Sequence, residues 1–482
     1  MKKFLVGLLS LYFGTQAIGQ EHNTSANYIK PKDPLVVKNL SEWQELKFGL
    51  FMHWGTYSQW GIVESWSLCP EDEGWTQRRG PHAANYYEYV KAYEDLQKQF
   101  NPIDFNPGKW ALAAKEAGMK YVVFTTKHHD GFAMFDTKQS NYKITDSKSP
   151  FSGNPRANVA KEIFNAFRQD QFKIGAYFSK PDWHTPYYWW PYFPPKDRNV
   201  NYDPKKYPDR WQQFKDFTYN QISELMTDYG KIDILWLDGG WVRPLATVDT
   251  TVEWQRGIKT EQDIDMPRIA NMARKKQPGI IIVDRTVPGE YENYVTPEQS
   301  IPNKPLDIPW ESCMTMGNSF SYVPNDQYKP AREIVHNLIK IVSRGGNYLL
   351  NIAPGPKGDW DPIAYQRLKE IGKWINKYGE GIYASHSIAP YSIGNIFFTQ
   401  NREENTVYAF ILHKEGGENL PAKLELPLKE DAKLHDISLV GSKVKLRWKI
   451  VDKHIQIEIP QTARNLQSDD YASMFKIGYV YL

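Results

Sequence analysis

Lys231-Ile232-Asp233-Ile234-Leu235-Trp236-Leu237-Asp238-Gly239-Gly240 is an apolar run that ends on a carboxylate and two glycines. The run reads as a buried strand that opens into a loop. Side chains alternate along a strand, so Trp236 and Asp238 project to one side and Leu237 to the other. An aromatic surface beside an acid suits a sugar-binding site. An aspartate here could equally cap a following helix, so this segment alone leaves both readings open.

Similar apolar runs recur at 48–55, 121–126, 173–179, 279–284, near 308–312 and at 348–353. Helix-period segments lie between them, among them 109–117, which stops at Gly118, and 208–229, which stops at Gly230. Strands alternating with helices predict parallel βα units. Seven widely spaced strands predict an α/β fold of the (β/α)8 barrel type, with an irregular or incomplete eighth unit left open. A barrel of this kind needs roughly 250 residues or more, and 482 residues leave room for a second domain.

After about residue 390 the pattern changes to short alternating runs at 406–413, 422–428, 443–451, 454–460 and 475–482. These predict a C-terminal antiparallel β-sandwich. The division expected is 1–20 as a secretory signal, 21–390 as the barrel and 391–482 as the sandwich, with the boundary near Ser385–Asn395. Lys2 and Lys3, an apolar stretch from Phe4 to Phe13 and the small-residue exit Ala17-Ile18-Gly19 have the layout of a cleavable signal, which implies a secreted or periplasmic protein. The apolar part falls short of the ~20 residues that span a bilayer, so no membrane span is expected.

Cys69 and Cys313 are the only cysteines, which excludes a disulfide scaffold and a thiolate metal cluster but leaves their pairing open. A net charge of +3 without a basic block argues against nucleic acid as a partner. The 17 Trp and 30 Tyr are plentiful enough to supply stacking surfaces for sugars as well as core. Segments 186–206 and 241–262 read as long loops on the barrel rim, where long loops tend to be functional.

Barrel active sites form where strands end. Phe51-Met52-His53-Trp54-Gly55 closes the first strand, Lys127-His128-His129-Asp130-Gly131-Phe132 the second, and Asp284-Arg285 the fifth. With Asp238 they bring histidines, an arginine and a carboxylate to one face. Three histidines could hold zinc. Adjacent histidines on a strand would point to opposite sides, however, and neither HxH nor HExxH spacing occurs, so no metal and no cofactor are expected.

These blocks, together with Thr296-Pro297-Glu298, Pro309-Trp310-Glu311-Ser312-Cys313 and Gly345-Gly346-Asn347-Tyr348-Leu349-Leu350-Asn351-Ile352 with Pro354, resemble the α-L-fucosidases of glycoside hydrolase family 29. The resemblance covers the whole barrel, and the C-terminal β-domain is similar to the family's accessory sandwich. It implies a retaining, exo-acting hydrolase of fucosylated oligosaccharides or glycoconjugates, with Asp238 as nucleophile. It also implies sugar or nucleophile contacts from His53, His128, His129, Trp236 and Arg285. Tyr177 is carried over with Phe178 as its rival, and Trp66 with an inserted Ser65 that separates it from Glu64. Phe320 is expected to wall the pocket near the sugar's methyl group. Glu290, Glu292, Glu298 and Glu311 are candidates for the acid/base, and the resemblance favours Glu298, on a loop after the fifth strand. A glycosidase for α-L-galactosides and a fucose-binding protein without turnover are the alternatives.

Overall fold

The computed structural model describes residues 28–70, 77–416, 420–428, 432–465 and 471–481. The expected signal at 1–20 lies outside them. Seven parallel strands form one sheet: β1 (Phe48–Met52), β2 (Tyr121–Lys127), β3 (Lys173–Ser179), β4 (Ile234–Asp238), β5 (Ile281–Asp284), β6 (Glu311–Thr315) and β7 (Asn347–Asn351). Their order is β5-β4-β3-β2-β1-β7-β6. The sixth strand starts three residues later than the 308–312 expected, because Val295 and Pro297 supply the partners that begin its ladder.

No regular eighth strand stands between β5 and β6. The segment after β5 fills that position. It first runs antiparallel to β5, with Asp284 N donating to Tyr291 O at 2.8 Å and Asn293 N to Ile282 O at 2.9 Å. It then turns and runs parallel to β6, with Glu311 N donating to Val295 O at 2.9 Å, Cys313 N to Pro297 O at 3.1 Å and Gln299 N to Cys313 O at 2.9 Å. Thr296-Pro297-Glu298, expected as a loop, therefore belongs to the barrel wall. Pro297 fits there because it is used only as an acceptor.

The pleat divides the strands as alternation requires. Ile234 and Trp236 of β4 join Phe51, Tyr121, Val123, Tyr177, Ile281, Val283, Cys313 and Leu349 in the barrel interior. Leu235 and Leu237 face the surrounding helices. The helices are α1 (Pro34–Gln44), α2 (Tyr86–Glu94), α3 (Pro107–Glu116), α4 (Val159–Gln169), α5 (Pro208–Asp228), α6 (Met266–Lys276), α7 (Ala331–Ser343) and α8 (Pro362–Tyr378). α3 and α5 end at Gly118 and Gly230, both at positive φ, the conformation in which glycine terminates helices.

α1 closes the barrel at the N-terminal ends of the strands. Asp33 caps it through a bond from Leu35 N at 2.8 Å, and Leu40 and Trp43 enter the interior cluster. Trp43 stacks on Tyr294 at 4.0 Å and its carbonyl accepts from Asn347 Nδ2 at 2.8 Å. With α1 across this end and the centre filled, the described residues leave the opposite mouth as the open end of the barrel. Cys69 and Cys313 are both buried and are not joined in a disulfide.

Beyond α8, β8 (His386–Ile393), β9 (Ile396–Asn401), β10 (Thr406–Leu412), β12 (Ala432–Leu439) and β15 (Ala472–Tyr481) form an antiparallel sheet. β11 (Lys423–Pro427), β13 (Arg447–Val451) and β14 (His454–Glu458) form a second. Residues of both sheets share a separate apolar core. This unit is fastened to the barrel helices, with Trp374 Nε1 donating to Ala472 O at 3.2 Å and Arg332 Nη1 to His413 O at 3.2 Å. No described helix is long and apolar enough to cross a membrane.

Trp43→Ala is expected to cost about 3–5 kcal/mol, the usual loss for deleting a buried Trp. Urea unfolding would show the change as a lower midpoint. A midpoint equal to that of the wild type would contradict the role given to the plug.

Candidate active site

Asp238 ends β4 at the open mouth, its side chain 15% exposed. The Arg285 guanidinium, one residue past β5, donates from Nη1 to Asp238 Oδ1 at 3.1 Å. Its Nη2 is bonded to Glu298 Oε2, and its Nε donates to Thr296 Oγ1 at 3.0 Å. One planar cation thus bridges the carboxylates of Asp238 and Glu298. The guanidinium also lies over the Trp236 ring, 5.2 Å from its centre.

Tyr177 of β3 donates its hydroxyl to Asp238 Oδ2 at 2.8 Å, so the tyrosine, rather than Phe178, faces the mouth. Burial, the largest single influence, works against charge on Asp238, and the Arg285 cation is the strongest influence opposing it. Together with His129, the Gly239 N–H and the Tyr177 hydroxyl, it holds the carboxyl well below the usual carboxylate range. In turn, burial and the charge of Asp238 push the Tyr177 phenol well above its ordinary value, so the phenol remains a donor.

The three histidines are each oriented by a neighbour that the sequence did not single out for that purpose. His53 Nδ1 bonds to Asn351 Oδ1 at 2.9 Å, His128 Nδ1 to Ser65 Oγ at 2.6 Å and His129 Nδ1 to Ser179 Oγ at 2.7 Å. With Nδ1 occupied, each ring keeps Nε2 for a ligand. Burial lowers His53 and His129 to about 4 and carries His128 well below its ordinary value. The 3.8 Å approach of His129 Nε2 to Asp238 is accordingly a contact of a neutral ring with a carboxylate. Asn351 stands in a quoted block, Ser65 is the inserted serine beside Trp66 and Ser179 ends the run 173–179, but no spacing rule identifies which histidine each one holds.

The expectation that His128 and His129 point apart does not hold. Both lie beyond the last residue of β2, in a turn, and their ring centres are 4.1 Å apart. Strand alternation therefore does not apply to them. One ligand atom from each, with one from Asp238, forms a group within 4.8 Å. A divalent ion there would sit beside the Arg285 cation that already occupies Asp238, which is electrostatically unfavourable.

Aromatic side chains wall the rest. Trp66 meets His129 edge to face at 5.3 Å, and Trp241 approaches the same ring at 5.0 Å. Phe320 is 4.9 Å from His53, and Phe51 and Tyr177 flank Trp236 at 5.2 and 5.3 Å. Trp236 is 1% exposed, and its Nε1 donates downward to Glu311 Oε1 at 3.3 Å. Only the upper edge of this ring can serve the mouth.

The four candidate glutamates separate cleanly. Glu311 is sealed in the barrel, where it accepts from Tyr121 OH at 2.6 Å. Glu292 is buried behind the site and accepts from Thr286 N at 2.8 Å. Glu290 faces Arg274 on the outside at 3.6 Å. Glu298 alone of the four is bonded to Arg285, with its side chain 29% exposed. Glu64, beside the inserted serine, is buried close enough for the charges of Glu298 and Asp238 to act on it. Burial first, and those charges second, push it up to about 8.

The depressed values predict that His53 and His129 stay neutral from pH 8 down to about 5, since a group titrating near 4 gains its proton only below that. Imidazole NMR signals that remain flat over this interval would agree. A midpoint near 6.5 for either ring would contradict the buried geometry.

Comparison with known proteins gives the same family. The profile described as Alpha-L-fucosidase matches residues 15–380, and that described as Alpha-L-fucosidase C-terminal domain matches 391–478. Human tissue alpha-L-fucosidase is 27% identical over 98% of this chain and 96% of its own. Alpha-L-fucosidase isoenzyme 1 from Paenibacillus thiaminolyticus superposes with a TM-score of 0.73 at 26% identity, covering 92% of this chain and all of its own. A family 29 alpha-L-fucosidase from Bacteroides thetaiotaomicron shares the fold, with a TM-score of 0.72 at 22% identity over 96% of this chain and 98% of its own. A match that spans most of the barrel, on a chain whose strand ends carry this array, means that the protein belongs to the α-L-fucosidase family, glycoside hydrolase family 29.

Proposed function

We propose that this protein releases terminal L-fucose from fucosylated oligosaccharides or glycoconjugates by a retaining, two-step mechanism, with Asp238 as nucleophile and Glu298 as acid/base. The observation that carries the reading is the single Arg285 guanidinium bonded to both carboxylates. Retaining glycosidases place such groups about 5–5.5 Å apart, inverting ones roughly 6.5–9.5 Å. Sharing one guanidinium favours the shorter separation.

In the first step an oxygen of ionised Asp238 attacks the anomeric carbon as the bond to the leaving oxygen breaks. Glu298 gives its proton to that oxygen. Glu298 Oε2 rests on Arg285, which leaves Oε1 to carry the proton. In the second step Glu298 takes a proton from water, the water oxygen attacks the same carbon, and the bond to Asp238 breaks. Two inversions return the original configuration. Tyr177 and Arg285 favour the carboxylate that attacks and then departs, while neutral His53, His128 and His129 are placed to bond sugar hydroxyls. Phe320 and the upper edge of Trp236 suit the methyl group of fucose, which supports fucose over galactose. The signal-like N-terminus supports export to the periplasm or beyond.

Asp238→Asn is expected to fold, to bind fucose and to lose turnover by on the order of 10⁴-fold or more. Glu298→Ala should impair natural fucosyl linkages far more than an aryl fucoside, whose phenolate needs no proton. Azide should accelerate that variant on the aryl substrate and yield the α-fucosyl azide, since only the general base of the second step is missing. Near-normal activity of Asp238→Asn, or equal damage to both substrates in Glu298→Ala without azide rescue, would contradict these assignments.

A further inference from the structure

Arg243 is 1% exposed and stands five residues beyond Asp238 in the loop that follows β4. Its Nε is bonded to the carbonyl of Gly240. Nη1 donates to Thr247 O at 3.2 Å and to Gln255 Oε1 at 3.1 Å. Nη2 is bonded to the carbonyl of Thr286 and donates to Thr286 Oγ1 at 3.1 Å. Asp284 and Glu292 supply its counter-charge. Its donors therefore join the loop after β4 to the loop after β5.

The far end of that link is strained. Thr286 has φ +63°, a left-handed conformation that β-branched residues rarely adopt. Its N–H is held by Glu292 Oε1 at 2.8 Å. Arg243 holds its carbonyl and hydroxyl. Gly240 lies so close that a Cβ there would stand 1.9 Å from Thr286 Oγ1. Thr286 directly follows Arg285, and Gly240 lies two residues after Asp238.

We infer that Arg243 is a positioning residue, which fixes Arg285 against Asp238 by clamping Thr286 and Gly240 across the two loops. The inference rests on the roles proposed for Asp238 and Arg285. It adds a buried residue that touches neither carboxylate of the pair and acts only through backbone placement. Such placement errors cost about 100-fold in rate when the reacting groups move by an ångström.

The readout is the titration of Asp238. That carboxyl is faced by Arg285, His129, His128 and Tyr177, and at longer range by His53, Lys180, Glu64 and Cys313, with Glu298 on the far side of Arg285. Of these, Arg285 supplies the dominant stabilising charge, so its displacement leaves burial in control and raises the Asp238 midpoint.

The experiment compares wild type, Arg243→Gln and Arg243→Lys. Each is checked for folding by circular dichroism, and Asp238 is followed by ¹³C NMR of aspartate-labelled protein, with Asp238→Asn to assign the signal. Arg243→Gln is expected to move the Asp238 midpoint to higher pH and to lower kcat/KM on an aryl fucoside about 100-fold, with partial recovery in Arg243→Lys. Gly240→Ala, whose Cβ would stand 1.9 Å from Thr286 Oγ1, 3.0 Å from Arg285 O and 3.3 Å from Arg243 Nη2, disturbs the same clamp from the other loop and should shift the midpoint the same way. Gly240→Ala with Thr286→Gly removes the 1.9 Å clash and should move it part of the way back. An unmoved midpoint in folded Arg243→Gln or in Gly240→Ala would overturn the inference, whatever happens to the rate. Wild type that titrates as expected but does not hydrolyse the fucoside would refute the proposed function and leave the clamp standing.

Discussion

A buried cation that serves two carboxylates at once is the constraint on which this site depends. Arg285 can do so only if β4 and the closing segment present Asp238 and Glu298 to opposite ends of one guanidinium, with Thr296 fixing its third nitrogen. An unpaired carboxylate in this setting would be neutralised by burial. The pairing keeps Asp238 ionised in an otherwise apolar surround of Phe51, Tyr177 and Trp236. Ionisation, aim and exclusion of water thus come from the same few contacts.

The barrel is irregular where this cation needs it to be. A regular eighth βα unit would take its strand directly from the floor to the rim. Here the chain instead turns back along β5 and rises beside β6, carrying Thr296 and Glu298 within reach of Arg285, the residue after β5. The stack of Trp43 on Tyr294 supports the base of this turn. The plug at one end and the acid at the other are parts of one wall.

Much of this was legible in the chain. The run 231–240 declares a strand and the side to which Asp238 points, and the pleat of β4 follows that alternation. The closing segment was not legible as barrel wall, because Tyr291–Gln299 is polar, contains Pro297 and changes partner halfway along. Strand alternation failed at His128 and His129 because β2 ends one residue earlier. Likewise β8 and β9 escaped notice, since Pro390 interrupts the first and the second, Ile396–Asn401, groups three apolar residues ahead of three polar ones instead of alternating. β12 carries a bulge between Leu434 and Asp436 that breaks its alternation. Contacts made across 298 residues, such as Asn351 on His53, leave no local pattern to read.

The central claim is that Asp238 becomes covalently bonded to the sugar during turnover. The most direct measurement is to treat the protein with 2-deoxy-2-fluoro-fucosyl fluoride, whose fluorine slows the second step, and to map the adduct by peptide mass spectrometry. One fluorofucosyl group per chain is expected, located on Asp238. An adduct on another carboxylate, or active enzyme that never acquires one, would contradict it.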